Sequence, residues 1–322
     1  MVKGVDDLDY TESITQSIQR LTEFARSIVS DRDTVKAVRE ILVKHDLIRQ
    51  FDAQTQTGLT AEGVDSSFTV YRTLSMQAII IAAAAYRKES RNTKIRRVVN
   101  AIPSLLSDYS DDLVKGLATL YELALARSST ADIVMLDGSF ISFAVNLGTF
   151  YYSLSNKRDP AVAAVMEYID QNSSNPLNVF SVAGSKTFAT DVILQKAGPR
   201  AIALPKASGA QGAIQYMTDF LGIDRGLSVS LFRRYTDRSL FTLVLEPGEY
   251  FTFHSVKEPE YRKLDVTLVP EWSWIEEIYD FLGDRGKFSG SGGVTVVIYR
   301  PFVWSPAYKV EIPGRASRNY IE

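Results

Sequence analysis

Two apolar runs in this chain end on a carboxylate. In "GVDSSF" (63–68) Asp65 interrupts what otherwise reads as a buried strand, and in "ADIVMLDGSF" (131–140) the run IVML stops at Asp137. Carboxylates are almost never fully buried unless paired or bound to a metal. Two strands that each deliver one aspartate therefore suggest a shared cation, provided the strands are neighbours. The plainer reading is that each aspartate ends a strand or turn and bonds to nearby backbone. Which reading holds depends on the elements that carry them.

Residues 9–50 read as helical. Ile14, Ile18, Leu21, Phe24 and Ile28 fall at three- and four-residue steps, and "DTVKAVREILVKHDLI" repeats the pattern with Ser30 and Asp33 as caps. "FTVYRTLSM" and "QAIIIAAAAYRKE" read as strands with almost no loop between them, and "KIRRVVNAIPS" as a third. A helix follows in "SDDLVKGLATLYELALARSS", with Ser110 as its N-cap and Asp111 and Asp112 at the positive end of its dipole. The strand IVML comes next. The order strand, strand, strand, helix, strand predicts an antiparallel meander. Its fourth strand returns through the helix, parallel to the first and buried on both faces. Asp65 and Asp137 then sit on neighbouring strands, where ligands of open α/β sheets collect. By analogy this order is that of a ribonuclease H-like fold: an α/β chain with a mixed sheet flanked by helices. A helical N-terminal arm (1–55) precedes the main domain (56–322).

Further along, "DPAVAAVMEYIDQ" and "QGAIQYMTDFLGI" read as helices, the first with Pro160 in its opening turn. "LFTLVLEPGEYFTFHSV" reads as a hairpin turning at Pro247 and Gly248, with Glu246 and Glu249 as polar loop residues. "PEWSWIEEIYDFLGD" reads as an amphipathic core segment, and "KFSGSGG" (287–293) lacks the lysine placement of a phosphate-binding P-loop.

Composition narrows the chemistry. The 322 residues are 45% hydrophobic and 23% charged, as in a soluble globular protein. There are no cysteines, which excludes disulfides, zinc-thiolate sites and thiol catalysis. The longest apolar run, "MQAIIIAAAAY", is too short for a membrane span, and the acidic N-terminus does not resemble a signal peptide, so the expectation is a cytoplasmic protein without membrane contact. A net charge of −2 argues against a strongly basic nucleic-acid binder, yet the cations cluster. One cluster, "YRKESRNTKIRRVV", holds Arg96 and Arg97; a second, "LFRRYTDR", holds Arg233 and Arg234. Each is either a solvated surface or a phosphate-contacting one.

Taken together, "EGVDSSF", the helix containing Glu122 and "IVMLDGSF" resemble the NurA nuclease family. "VAGSKTF" (182–188) is similar to that family's segment with a lysine after a strand, and "VVIYRPFVWSPAYKVEIP" to its closing strand and Tyr-Pro region. The resemblance spans roughly residues 60–312, and order and placement carry it rather than any single motif. It implies that Asp65, Glu122 and Asp137 hold Mn²⁺ or Mg²⁺, that Lys186 meets a phosphate, and that Tyr299 answers to the family's tyrosine. The implied activity is a manganese-dependent DNA nuclease, a 5′–3′ exonuclease and single-strand endonuclease that processes DNA ends in recombination repair. The implied partners are a HerA-type hexameric translocase and a second copy of the chain, with a central channel that admits DNA. The residue types suit phosphodiester hydrolysis, which needs an activated water and neutralisation of charge as the bond breaks.

The chain departs from the family's pattern near its C-terminus, where one extra residue separates Tyr299 from Pro301. The family's histidine after the Tyr-Pro segment is missing: the only histidines, His45 and His254, fall elsewhere, and Tyr308 stands at the corresponding position. A neutral tyrosine is a poor ligand for a hard cation but can hydrogen-bond a water or a phosphate. An acid such as Glu311 could fill the gap, or the protein could be a non-cleaving adaptor that docks on a translocase. Glu122 also strains simple geometry. From the turn near Ser129 it lies about 10 Å back along a helix, whereas Asp137 lies roughly 25 Å forward along a strand. A straight antiparallel pair would bring Asp111 or Asp112 closer; a longer connection, an early bend in the strand or an oblique crossing would restore Glu122.

Overall fold

A computed structural model of the chain describes residues 15, 18–19, 32–51, 58–89, 92–172, 182–205, 211–256 and 273–316. Of the residues 9–50 expected to be helical, the first stretch, 14–29, lies almost wholly outside these; Thr15, Ile18 and Gln19 are helical. Helix α1 (Arg32–Lys44) and the short strand β1 (Ile48–Gln50) precede three long strands, β2 (Ala61–Arg72), β3 (Met76–Glu89) and β4 (Asn92–Leu105). These three form the antiparallel meander. Helix α2 (Ser110–Arg127) then leads to β5 (Ile133–Leu136), which pairs parallel to β2, and β6 (Arg200–Ala203) pairs parallel to β5. That is the crossover the sequence predicts. Strands β7 (Glu249–Ser255), β8 (Val294–Tyr299) and β9 (Tyr308–Pro313) complete a nine-stranded mixed sheet of order β1-β7-β8-β9-β6-β5-β2-β3-β4. Pro103 is tolerated in β4 because that strand is an edge of the sheet.

Helices α3 (Phe140–Leu154), α4 (Pro160–Gln171), α5 (Val182–Ile193), α6 (Gly212–Phe220), α7 (Arg225–Arg234), α8 (Asp237–Val244) and α9 (Ser273–Leu282) flank the sheet. On β3 the period of two shows: Ile79, Ile81, Ala83 and Ala85 are buried, whereas on the alternate positions Ile80 and Ala82 are partly exposed and Ala84 and Tyr86 exposed. Helix α2 covers the buried side and is itself almost wholly buried, because α3 lies over it. The two helices approach closely at Gly116, where a Cβ would stand 2.1 Å from Phe150 Cβ. Among the described residues nothing covers the other side of β2–β4. Tyr71, Met76, Tyr86, Ile95, Val99 and Leu105 share it, each at least half exposed.

Several local expectations are corrected. The N-cap position of α2 is Tyr109, which makes no side-chain cap; Ser110 is buried inside the first turn and donates to Ser107 O at 2.9 Å. IVML is not buried on both faces: Val134 and Leu136 are buried, whereas Ile133 and Met135 are only partly covered. The predicted hairpin over 240–256 is instead helix α8 followed by β7. Thr236 and Ser239 form a capping box that starts a helix through the β-prone run LFTLV. Glu249 is no loop residue. It is buried and takes a two-pronged hydrogen bond from Arg39 of α1 at 2.7 and 2.8 Å, which ties α1 to the start of β7. No helix among the described residues is long and apolar enough to cross a membrane.

Candidate active site

The parallel pairing of β2 with β5 ends at Val64 and Leu136, one residue before Asp65 and Asp137. The two aspartates are thus the next residues of adjacent strands, and Asp137 N donates to Val64 O at 3.1 Å. At this point β5 stops while β2 runs on to Arg72, so a notch opens in the sheet. The chain leaves β5 through Gly138 at φ +147°, a conformation that favours glycine, and enters α3 behind Ser139, whose Oγ accepts from Ser142 N at 3.1 Å.

Glu122 reaches the notch from the helix side. Its Oε1 accepts from Asp137 N at 3.2 Å and its Oε2 from Ser66 Oγ at 3.0 Å. The straight-rod estimate that favoured Asp111 and Asp112 fails because the chain bends at residues 131–132 and the strand starts only at Ile133. The four residues of β5 advance only about 13 Å, close to the ~10 Å that Glu122 lies back along α2. Asp111 instead pairs with Arg72 at 3.2 Å, far along the helix. Glu122 is 3% exposed, and burial pushes its carboxyl up to about 8. The hydrogen bond from Ser66 opposes this, the charge of Asp65 adds to it, and the Asp137 amide and carboxylate act in opposite senses.

Two pockets meet at the aspartates. The first, 330 Å³, is lined by Asp65, Glu122 and Asp137 with Lys115, Thr119 and Asn146. The second, 680 Å³, opens on the other side of the sheet and is lined by Asp65 and Asp137 with Arg238, Tyr299, Tyr308 and Lys309. Tyr299 and Tyr308 are opposite each other at the end of the β8–β9 ladder, their rings 5.6 Å apart. Burial, and then Tyr308, raise the Tyr299 phenol above its ordinary value. The Arg238 guanidinium lies 5.8 Å over the Tyr308 ring.

Solved structures resemble this architecture, although no protein-family model and no curated protein matches the chain. The crystal structure of the NurA nuclease from Sulfolobus solfataricus superposes with a TM-score of 0.54, covering 95% of this chain and 83% of that one at 13% identity. The fold is NurA-like. A NurA solved with manganese also covers 95% of this chain and 89% of its own, with a TM-score of 0.48 and 13% identity. Likeness at this identity describes the NurA-like fold and leaves the chemistry to this chain's own residues.

The site residues suggested by the sequence divide by where the NurA-like fold puts them. Asp65, Glu122, Asp137, Tyr299 and Tyr308 come together around the two pockets. Arg97 shares the open face with Asp65, in line through Ala84 and about 10 Å away at two strand spacings. Arg96, its neighbour, points to the opposite face and is engaged there by Glu62, Ser128 Oγ and Leu125 O. Lys186 is exposed on helix α5 rather than after a strand, and it lines neither pocket. The lysine that does follow a strand in sequence is Lys206, after β6, outside the described residues. Arg233 and Arg234 are exposed in the last turn of α7, where the helix dipole favours cations. Glu311 is committed elsewhere: it accepts from Phe140 N at 3.1 Å and faces Lys309 at 3.8 Å, a brace for the start of α3.

Two cations beside the carboxylates escape a reading by clusters. Lys115 lies two helical turns before Glu122, so the seven-residue spacing alone puts both on one face of α2. Arg238 belongs to the basic stretch 231–238, but nothing local distinguishes it from Arg233 and Arg234.

Asp65, Glu122 and Asp137 border one pocket, and carboxylates are the ligand type that a hard divalent cation takes. Among the described residues no group of three such side chains is already gathered in an ion-holding arrangement. Glu122 spends its oxygens on Ser66 and the Asp137 amide, which leaves Asp65 and Asp137 as the acids that border both pockets.

Proposed function

We propose that this chain is a divalent-metal-dependent DNA nuclease built on a ribonuclease H-like sheet. The observation that carries the reading is the convergence of Asp65, Glu122 and Asp137 on one notch, with Glu122 pushed up to about 8. Asp65 and Asp137 would hold Mn²⁺ or Mg²⁺, with Glu122 behind them. Such an ion supplies an activated water and charge neutralisation at a phosphodiester. The chain's own contribution is to bind and orient. Lys115 borders the first pocket and Arg238 the second, so a phosphate at the notch meets a cation on either side. Tyr299, kept a neutral phenol by burial, can donate to a phosphate oxygen, and Tyr308 beside it can do the same.

The same reading assigns the protein to DNA-end processing in double-strand break repair, as a cytoplasmic homodimer beside a HerA-type hexameric translocase. Its support is the sequence resemblance and the apolar outer face of β2–β4, which a second copy would close. Tyr308, where the family places a histidine, favours a second reading: an adaptor that keeps the fold and docks on a translocase without cutting.

Cleavage of end-labelled single- and double-stranded DNA in Mn²⁺, Mg²⁺ or EDTA separates the two readings. The expected result is metal-dependent degradation that falls by more than ~100-fold in Asp137→Asn, a change that preserves shape and removes charge. A wild type inert in every metal, alone and with a translocase, would leave only the adaptor.

A further inference from the structure

Resting on the nuclease reading, we infer that Phe302 and Trp304 form a stacking platform for an unpaired nucleobase beside the catalytic pocket. The proposed ligand is the single-stranded end of a DNA substrate. The two rings lie 5.1 Å apart and within 9° of parallel, on the loop that joins β8 to β9. Trp304 is 82% exposed, the most exposed aromatic among the described residues, and Phe302 is 54% exposed.

A mobile loop would fold such rings down, but this one is held. Arg300 donates to Leu245 O at 2.9 Å and to Val303 O at 2.6 Å. Ser305, 3% exposed, accepts from Phe302 N and donates to Phe302 O, and Ala307 N donates to Thr242 Oγ1 at 2.8 Å. The loop therefore fixes two aromatic faces in water at a cost that folding alone does not repay.

Its position names the ligand. The loop is bounded by Tyr299 and Tyr308, which line the same pocket as Asp65 and Asp137, and Trp304 is four residues from Tyr308, within ~14 Å of chain. A protein partner would need about 800 Å² on this side, whereas Phe302, Val303 and Trp304, partly exposed, offer well under that. A planar ring stack with Arg238 nearby in the pocket suits a base and its phosphate. Within a duplex each base is fixed by its partner and stacked between its neighbours, whereas the bases of an unpaired end are free to turn a face onto the platform, which therefore favours a single-stranded end.

The test uses short single strands carrying one 2-aminopurine, whose fluorescence falls when it stacks, with the full-length protein in Ca²⁺ to limit cleavage. The wild type is expected to quench the probe at one or two positions. Trp304→Ala should lose the quench and bind the strand about tenfold more weakly, Trp304→Phe should keep both, and binding of a blunt duplex should change less than twofold. Unchanged binding and quenching in Trp304→Ala overturn the proposal, as does a variant that binds DNA normally but no longer associates with a translocase. Cleavage in Mn²⁺ runs alongside. A wild type that cuts but never quenches removes the platform alone; one that neither cuts nor binds removes the nuclease reading with it.

Discussion

Among the described carboxylates Glu122 is the one most altered by its surroundings. Its carboxyl titrates near 8 in the folded chain against an ordinary 4.5, with burial as the main cause. The sign of the consequence follows from proton linkage. Below about pH 4.5 the group is protonated in both states and costs nothing. As pH rises from there to 8, the unfolded chain releases the proton while the folded one keeps it, so stability is lost by at most about 1.4 kcal/mol per pH unit. Metal-free wild type should therefore weaken between pH 5.5 and 8 relative to Glu122→Gln, whose amide has no proton to lose and can still accept from the Asp137 amide. Urea unfolding of both proteins in EDTA at the two pH values measures this. Mn²⁺ held by Asp65 and Asp137 should return stability to the wild type at pH 8, because a cation close by favours the ionised form of Glu122. Parallel pH profiles for the two proteins would mean that Glu122 is not buried as described.

At the scale of elements, what places Glu122 is the contact between α2 and α3. The Gly116 Cα lies so near Phe150 that any side chain must push the helices apart or displace that ring. Gly116→Ala should cost roughly 1–3 kcal/mol, seen as a melting temperature several degrees lower. Gly63→Ala, where a Cβ would meet nothing within 4 Å, is the control and should be close to neutral. Equal effects from both would sink the packing argument. Much of this arrangement was legible in the sequence. The meander, the crossover helix and the neighbouring positions of Asp65 and Asp137 all follow from hydrophobic period and strand order. What was not legible depends on contacts distant in sequence or on local geometry that pattern does not encode. Helix α8 overrides a β-prone run through its cap. Arg39 and Glu249, 210 positions apart, have no local signal. Adjacent Arg96 and Arg97 look alike in a basic cluster, yet the pleat sends one into a buried ion pair and the other to the open face.

For the whole molecule the open face of β2–β4 is the feature that the described chain leaves unexplained by itself. Six large apolar side chains sit on it: Val99 is 66% exposed, Tyr71 64% and Ile95 61%, with Leu105, Met76 and Tyr86 between 50 and 59%. Contiguous apolar patches beyond a few hundred Å² mark interaction surfaces. Asp65 and Arg97 lie on the same face, so whatever covers it also comes over the mouth of the second pocket. If the cover is a second copy, as the proposed homodimer requires, DNA would enter between two such faces and meet Arg97 before the carboxylates. Sedimentation equilibrium should then find a dimer at micromolar concentration. Replacing Ile95 and Val99 together by Lys puts two charges at the centre of that interface without touching the core, since both point outward from the edge strand β4. The double variant should sediment as a folded monomer and bind DNA more weakly than the wild type while retaining the Glu122 pH signature. A wild type that is monomeric at 100-fold higher concentration, roughly 3 kcal/mol beyond a micromolar association, would rule out the second copy and leave the face to another partner.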